Sequence, residues 1–323
     1  MSLIKHQSNF VLLPLLLVSV LCFFSADGFA NEEANNEQEK DDKHWNITFN
    51  LNGRVNEYRI PKTEMSEHTV DVDGRTLYFV EMYKDREKGA KPLIIFVHGT
   101  PGRWADQMPF LTNDFLRDHF HMIAIDRLGH GKSQGKVEPS LIAQAASLES
   151  LLDRNTSNSG VILMGHSLGG PIIARTAIDY PEQVGGLVFI ASTADPKRSR
   201  RWYNTVGGFL PVSWFLSESL LRANREILPL KKQLKAMQPL WKNIKVPTTI
   251  IQGGKDKLVN PKNSDYIQNA LVNAKVNMVV LPEANHFIHW DNPQVLVDAL
   301  ETFVPQANRA KQKTDVQESK KQF

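Results

Sequence analysis

Ser167 lies in the sequence Gly-His-Ser-Leu-Gly-Gly (residues 165–170), which directly follows an apolar run at residues 160–164. A serine flanked by glycines between a strand and a helix is typical of the nucleophile elbow, a turn so tight that only small residues fit beside it. Such a turn would hold the Ser167 hydroxyl at the end of the strand, where a substrate can reach it. The spacing alone is common by chance, so the interpretation depends on a preceding strand and on partner residues later in the chain.

A serine hydroxyl is a poor nucleophile until a base takes its proton, and His286 is the best candidate among the ten histidines. It follows a predicted strand, so it should lie at the sheet edge to which the elbow projects. His289 is the alternative base. Asp256 follows a Gly-Gly pair at residues 253–254 that allows a sharp turn, and it is the predicted acid that orients the imidazole and stabilises the imidazolium. Asp195 is the alternative acid.

An oxyanion formed at the attacked carbonyl needs two backbone N–H donors. Leu168, the residue after the serine, supplies one, and the start of a helix at this point adds positive potential. The second donor should come from the His-Gly-Thr-Pro-Gly loop at residues 98–102. Pro101 has no N–H. Thr100 is therefore the favoured donor, with Gly102 second.

The elements that must position these residues follow an α/β pattern, in which apolar β-branched runs alternate with longer helical segments. Two short runs around Asp73-Gly74 predict a hairpin at the antiparallel start of the sheet. Buried strands are then predicted at residues 93–97, 121–125, 161–164, 187–191, 248–252 and 277–281. Two weaker candidate strands, at residues 46–51 and 55–60, would pack on the edge of this sheet.

Taken in chain order, the motifs resemble those of the α/β-hydrolase fold superfamily over about residues 69–304. The landmarks each follow a strand of that fold: residues 98–102 the third, 126–133 the fourth, 165–169 the fifth, 253–256 the seventh and 285–287 the eighth. The resemblance implies an esterase- or lipase-like serine hydrolase with a mostly parallel eight-stranded sheet, helices on both faces and a small helical lid. It also implies the chain order Ser167, Asp256, His286. Asp126 is interpreted as structural, holding its own turn.

The ends of the chain differ in composition from its centre. A basic start, an apolar run at residues 10–24 and small residues up to Ala30 predict a secretory signal over residues 1–30. We therefore expect export to a periplasm or the exterior, or membrane attachment if this segment is not cleaved. Residues 31–60 are predicted to be a polar leader and N-terminal extension. The hydrolase domain should span residues 61–305, and residues 306–323 should form a disordered tail.

The predicted lid covers about residues 195–242, a gap too long for a simple crossover between strands. It holds ten Lys or Arg and three acidic residues. This excess allows two interpretations: a solvated helical face, or peripheral contact with an anionic membrane surface. The whole chain carries a formal net charge of only +3, so bulk nucleic-acid binding is not expected.

These patterns predict hydrolysis of a carboxylic ester, or a related acyl bond, of a small-molecule substrate through an acyl-enzyme. No metal or organic cofactor is implied. The same three residues could instead transfer the acyl group to an alcohol. A third interpretation is a ligand receptor on a hydrolase scaffold that does not depend on catalysis.

Overall fold

The computed structural model describes residues 43–51, 54–133, 135–199 and 218–304. The predicted signal sequence, nearly all of the polar leader before residue 43 and the C-terminal tail lie outside these residues. So do residues 200–217 of the predicted lid. No helix among the described residues is both long and apolar enough to cross a membrane.

The large sheet of the described residues has eight strands, and a second sheet has two. The strands are β1 (His44–Leu51), β2 (Arg54–Pro61), β3 (Met65–Val72), β4 (Arg75–Met82), β5 (Leu93–Val97), β6 (His121–Asp126), β7 (Val161–His166), β8 (Val184–Ile190), β9 (Thr248–Gly253) and β10 (Val276–Leu281). The order in the large sheet is β10-β9-β8-β7-β5-β6-β4-β3.

The predicted hairpin and all six predicted strands of the α/β core are confirmed, but β10 is not buried: it is an edge strand whose residues are half-buried or exposed. β3 pairs antiparallel with β4, β4 pairs antiparallel with β6, and the remaining pairs are parallel. All side chains of β5, β6, β7 and β9 are buried, as expected for central strands covered on both faces.

The two weaker candidate strands form as β1 and β2, and neither is a strand of the large sheet. β1 and β2 pair with each other in a separate two-stranded sheet. The reason is local, because the sequence Asn52-Gly53 lies between them and an Asn-Gly pair strongly favours a hairpin between its two flanking strands.

The α-helices of the described residues vary in length from one turn to about five turns. They are α1 (Met108–Leu111), α2 (Asp114–His119), α3 (Leu141–Ala146), α4 (Glu149–Leu152), α5 (Gly169–Asp179), α6 (Glu218–Met237), α7 (Lys262–Ala270), α8 (Ile288–Asp291) and α9 (Pro293–Glu301). Short 3-10 helices span Arg86–Lys88, Trp104–Gln107 and Gln238–Asn243. α6 lies in the predicted lid, and its second half belongs to the main hydrophobic core through Leu230, Leu234 and Met237.

The strand order reverses at β5, which lies between β6 and β7. In open parallel sheets, ligands bind in the crevice outside the carboxyl ends of the strands at such a reversal. The loops after β5, β7, β9 and β10 therefore meet at one edge of the sheet. The predicted site residues lie on these four loops.

Candidate active site

Ser167 lies in a strained turn between β7 and α5. Its φ angle is 53°, in the left-handed region that few non-glycine residues adopt, and its N–H donates to the Ile190 carbonyl at 2.9 Å. A side chain at Gly165 would place Cβ 2.6 Å from the Gly169 carbonyl oxygen, and one at Gly169 would place Cβ 2.2 Å from the Val97 carbonyl oxygen. The backbone approaches so closely here that both positions need glycine, which is the physical content of the elbow motif.

The structure brings His286 and Asp256 together, although 30 positions separate them. His286 Nδ1 donates to Asp256 Oδ2 at 2.7 Å, and both side chains are buried. The backbone N–H groups of Leu258 and Val259 each donate to Asp256 Oδ1 at 2.8 Å, and Gln252 Nε2 donates to Oδ2 at 3.3 Å. These bonds fix the carboxylate, and they assign the proton on Nδ1 of His286. The other ring nitrogen, Nε2, is then an available base.

The alternative base and acid are placed differently. His289 is fully buried and its Nδ1 has no hydrogen-bond partner among the described residues. Burial, together with the nearby His286 ring, lowers the pKa of His289 to about 3. Asp195 accepts from the Lys197 backbone N–H at 2.8 Å and forms an ion pair with Arg198. Neither residue contacts the other as a histidine–acid pair would.

His166 connects the elbow to the loop after β10, which carries His286. Its Nε2 donates to the His286 carbonyl at 3.1 Å, and its ring centroid lies 4.7 Å from that of His286. Burial and the neighbouring imidazoles hold the pKa of His166 well below its usual range, so it stays neutral. Because Ser167 follows His166 directly, this contact brings the serine and the His286 loop to one place.

In the part of the chain that the structure describes, no hydrogen bond joins Ser167 Oγ to the His286 ring. Catalytic hydrogen bonds are often long or poorly aligned without substrate and tighten when it binds. Ser167 is partly exposed, in contrast to the buried His286 and Asp256.

The loop after β5 packs against the elbow as an oxyanion loop would. A Cβ on Gly99 would lie 2.9 Å from Ser167 Cβ, so the backbone at this point is in direct contact with the serine. The backbone N–H groups of Thr100 and Leu168 have no acceptor among the described residues, and Leu168 is the N-cap of α5. The Thr100 hydroxyl is also buried and unpartnered. Three donors near the serine are thus available to a ligand.

Arg127 holds this loop from behind through a fully buried guanidinium. It donates from Nε to the His98 carbonyl at 3.0 Å and from Nη2 to the Gly99 carbonyl at 2.8 Å. Glu226 on α6 is its counter-ion, with Arg127 Nη1 donating to Oε1 at 2.6 Å and Nη2 to Oε2 at 3.2 Å. Burial acts to raise the pKa of Glu226, but the Arg127 charge and the hydrogen bond with His130 outweigh it and lower that pKa to about 2.

Sequence analysis missed this network and the role of His166. His98 belongs to the network, because its Nε2 accepts from the Arg127 backbone N–H at 3.0 Å and its Nδ1 donates to the Gly99 carbonyl at 2.7 Å. Burial, followed by the Arg127 charge, holds the pKa of His98 well below its usual range. Both bonds require the neutral tautomer of His98 that carries its proton on Nδ1.

Asp126 is the last residue of β6, and its side chain accepts hydrogen bonds from backbone groups. Its two oxygens accept from the N–H groups of Trp104 and Lys132, each at 2.7 Å. Burial raises its pKa to about 7. These contacts fit the interpretation of Asp126 as a residue that holds its turn.

The sheet order, the elbow after β7 and the histidine–acid pair after β10 and β9 define a protein of the α/β-hydrolase fold. The chain belongs to the Alpha/beta hydrolase family, whose sequence model it matches over residues 94–299.

The relatives of the chain include hydrolases and an acyltransferase. It is 26% identical over 258 residues to the 2-(acetamidomethylene)succinate hydrolase of Mesorhizobium japonicum, covering 68% of this chain and 90% of that protein. It is 35% identical over 158 residues to a 1-acylglycerol-3-phosphate O-acyltransferase of Arabidopsis thaliana, covering 43% of this chain and 36% of that protein. The thioesterase domain from the curacin biosynthetic pathway superposes with a TM-score of 0.56 at 18% identity, over 74% of this chain and 99% of that one. At that identity the superposition shows the fold alone.

Proposed function

We propose that the chain is an exported serine hydrolase that cleaves a carboxylic ester, or a related acyl bond, through an acyl-enzyme on Ser167. The observation that carries the proposal is the hydrogen bond between His286 Nδ1 and Asp256 Oδ2 on loops that meet the elbow. A buried acid paired with one ring nitrogen leaves the other to act as a base.

In the first half of the reaction, Ser167 Oγ attacks the carbonyl carbon while His286 Nε2 takes its proton. The imidazolium is stabilised by Asp256, and the N–H groups of Thr100 and Leu168 hold the negative oxygen of the tetrahedral intermediate. The bond from carbon to the leaving oxygen then breaks. His286 returns the proton to that oxygen, so an alcohol departs and the acyl group stays on Ser167.

In the second half, water attacks the acyl carbon and His286 takes a proton from it. Collapse of the second intermediate breaks the bond to Ser167 Oγ and returns the proton to the serine. A carboxylic acid is released and the enzyme is regenerated without any cofactor. The helical segment within residues 195–242 serves as the lid that selects the acyl group.

A fluorophosphonate probe tests the nucleophile. We expect labelling of the full-length protein that Ser167→Ala abolishes, followed by turnover of p-nitrophenyl esters in a panel of increasing acyl length. His286→Asn and Asp256→Asn should strongly reduce both, whereas the matched changes His289→Asn and Asp195→Asn should preserve labelling. Labelling that persists in Ser167→Ala would refute the proposal. Ligand binding and biological effect unchanged in Ser167→Ala would favour the receptor interpretation.

Acyl transfer is the second candidate, because the Arabidopsis thaliana relative is named as an acyltransferase. The chemistry differs only in the second half, where an alcohol replaces water. Product analysis with competing alcohol acceptors separates the two. A hydrolase releases free acid at every acceptor concentration, whereas a transferase forms mainly the new ester.

Export is supported by the sequence of residues 1–30 and is tested by fractionating cells and sequencing the N-terminus of the mature protein. We expect a periplasmic or secreted chain that starts after Ala30. An intact N-terminus in the cytoplasmic fraction would contradict this part of the proposal.

A further inference from the structure

Six cations are exposed along α6 and the segment that follows it, and together they form what we term the basic face. Its members are Arg225, Lys231, Lys232, Lys235, Lys242 and Lys245. Between residues 219 and 245 the sequence holds one acidic residue, Glu226, which is buried against Arg127. No acidic side chain of the described residues pairs with any of the six.

The cations are sorted onto one side of the helix. At about 100° per residue, the four members of the basic face on α6 fall within an arc of about 120°. The opposite side carries Leu230, Leu234 and Met237, which are buried in the main core. In the second half of α6, the apolar side is therefore covered by the protein itself. What remains outside is a surface of positive charge that no neighbouring acid of the described residues neutralises.

We infer that the basic face binds an anionic lipid surface. A lipid bilayer presents many negative headgroups in a plane, so a row of unpaired cations suffices to hold it by electrostatic attraction.

A nucleic acid is the competing anionic partner. Single strands are bound by basic side chains together with aromatic residues on which the bases stack. The one aromatic residue between positions 225 and 245, Trp241, is buried in the core. The basic face therefore offers phosphate contacts without a stacking platform, which favours the lipid surface.

The location of the basic face connects it with the proposed function, although binding itself does not depend on Ser167 chemistry. The same helix carries Glu226, which holds Arg127 behind the oxyanion loop. A lipid surface bound to the outer side of α6 would thus lie against the element that borders the site. The active site would then encounter its acyl substrate at the lipid surface.

Flotation of the full-length protein with vesicles tests the inference. We expect binding to vesicles of phosphatidylcholine mixed with phosphatidylglycerol, little binding to phosphatidylcholine alone, and release as salt is raised. Changing four cations of the basic face to glutamine should weaken binding about fivefold for each charge, hence by roughly a hundredfold or more together. These four changes are Arg225→Gln, Lys231→Gln, Lys232→Gln and Lys235→Gln.

A control of equal net charge changes four exposed lysines elsewhere: Lys136→Gln, Lys197→Gln, Lys262→Gln and Lys275→Gln. The control should keep most of the vesicle binding if the basic face is responsible. Equal losses in both variants, or no loss in the first, would overturn the inference, and so would tighter binding to single-stranded RNA at the same salt. Binding to neutral vesicles as strong as to anionic ones would also overturn it, because the apolar N-terminal segment would then be responsible. Because flotation does not require turnover, Ser167→Ala should float like the wild type, so failure of the hydrolase proposal leaves this test intact.

Discussion

Replacing Glu226 by glutamine should slow catalysis from a position that touches no reacting atom. Glu226 is the counter-ion of Arg127, and Arg127 donates to the carbonyls of His98 and Gly99 in the loop after β5, the proposed oxyanion loop. The substitution keeps the shape of the side chain but leaves a fully buried guanidinium without a partner charge. Arg127 should then shift toward solvent and release the loop, which carries the Thr100 donor.

The expected loss of folding free energy follows from the burial of the ion pair, and the expected fall in kcat follows from the loss of an oxyanion donor. Arg127 is 0% exposed and Glu226 is 2% exposed, and breaking such a buried pair costs about 3–5 kcal/mol of folding free energy. The amide oxygen of the introduced glutamine would still accept one hydrogen bond, so we expect the lower end of that range. Loss of one oxyanion donor lowers kcat by about a hundredfold to a thousandfold. The KM should change less, because the donors act mainly in the transition state.

A second variant separates the effect of the ion pair on stability from its effect on the position of the loop that carries Thr100. Arg127→Met combined with Glu226→Leu removes both charges and fills the space with apolar groups, a change that is often neutral for a buried pair. We expect urea unfolding to return close to the wild-type midpoint. The kcat for a p-nitrophenyl ester should stay low, since the carbonyls of His98 and Gly99 still lack their donor. A double variant with wild-type kcat would refute the positioning role and leave the network a purely structural one.

Glu81 supplies a matched control at the opposite edge of the sheet. It is 3% exposed, accepts from His121 Nε2 at 2.7 Å and pairs with Arg86 at 2.9 Å and Arg154 at 3.3 Å. It lies opposite Ile123 near the start of β6, away from the carboxyl ends of the strands. Glu81→Gln should therefore lower stability without lowering the kcat of the folded protein. An equal fall in kcat would show that the assay reports unfolding.

Three further changes test the site. Gly169→Ala places Cβ 2.2 Å from the Val97 carbonyl oxygen and should cost about 1–3 kcal/mol in urea unfolding and most of the fluorophosphonate labelling; a wild-type result would refute the packing of the elbow. Thr100→Val removes the unpartnered hydroxyl but keeps the amide, and should lower kcat about tenfold or more with little change in KM if the hydroxyl helps hold the oxyanion. Burial, together with the nearby His286 ring, lowers the pKa of His289 to about 3, so below its ordinary value of 6.5 the unfolded chain binds a proton that the folded chain does not. Stability should fall as pH falls, by about 1.4 kcal/mol per pH unit from this group, and His289→Asn should abolish that part of the slope between about pH 6 and pH 4.

The strands and the elbow could be predicted because the information for them is local. β5 begins and ends where its apolar run predicts. The glycines around Ser167 are required by backbone atoms only a few residues away or on the adjacent strand. The separate sheet of β1 and β2 also had a local signal, the Asn-Gly pair at residues 52–53, which favours pairing between the two strands that flank it.

The contacts that position the proposed catalytic groups are not local, and no comparable signal for them exists in the sequence. His166 and the His286 carbonyl are 120 positions apart, and Arg127 and Glu226 are 99 apart. One clue was available. Glu226 falls on the apolar stripe of α6, three positions after Ala223 and four before Leu230, both of which are buried. A charged residue on such a stripe requires a buried partner.

The identity of that partner depends on how the fold brings α6 across the turn after β6, which no spacing in the chain encodes. The sequence offers many basic residues to Glu226, including ten in its own segment. In the structure the partner is Arg127, whose buried guanidinium also donates to the carbonyls of His98 and Gly99. The same helix thus has one buried acid, Glu226, which is paired with Arg127, while the cations of the basic face are exposed to solvent. This division is why a segment whose composition suggests only a basic surface also carries the counter-ion that holds the oxyanion loop.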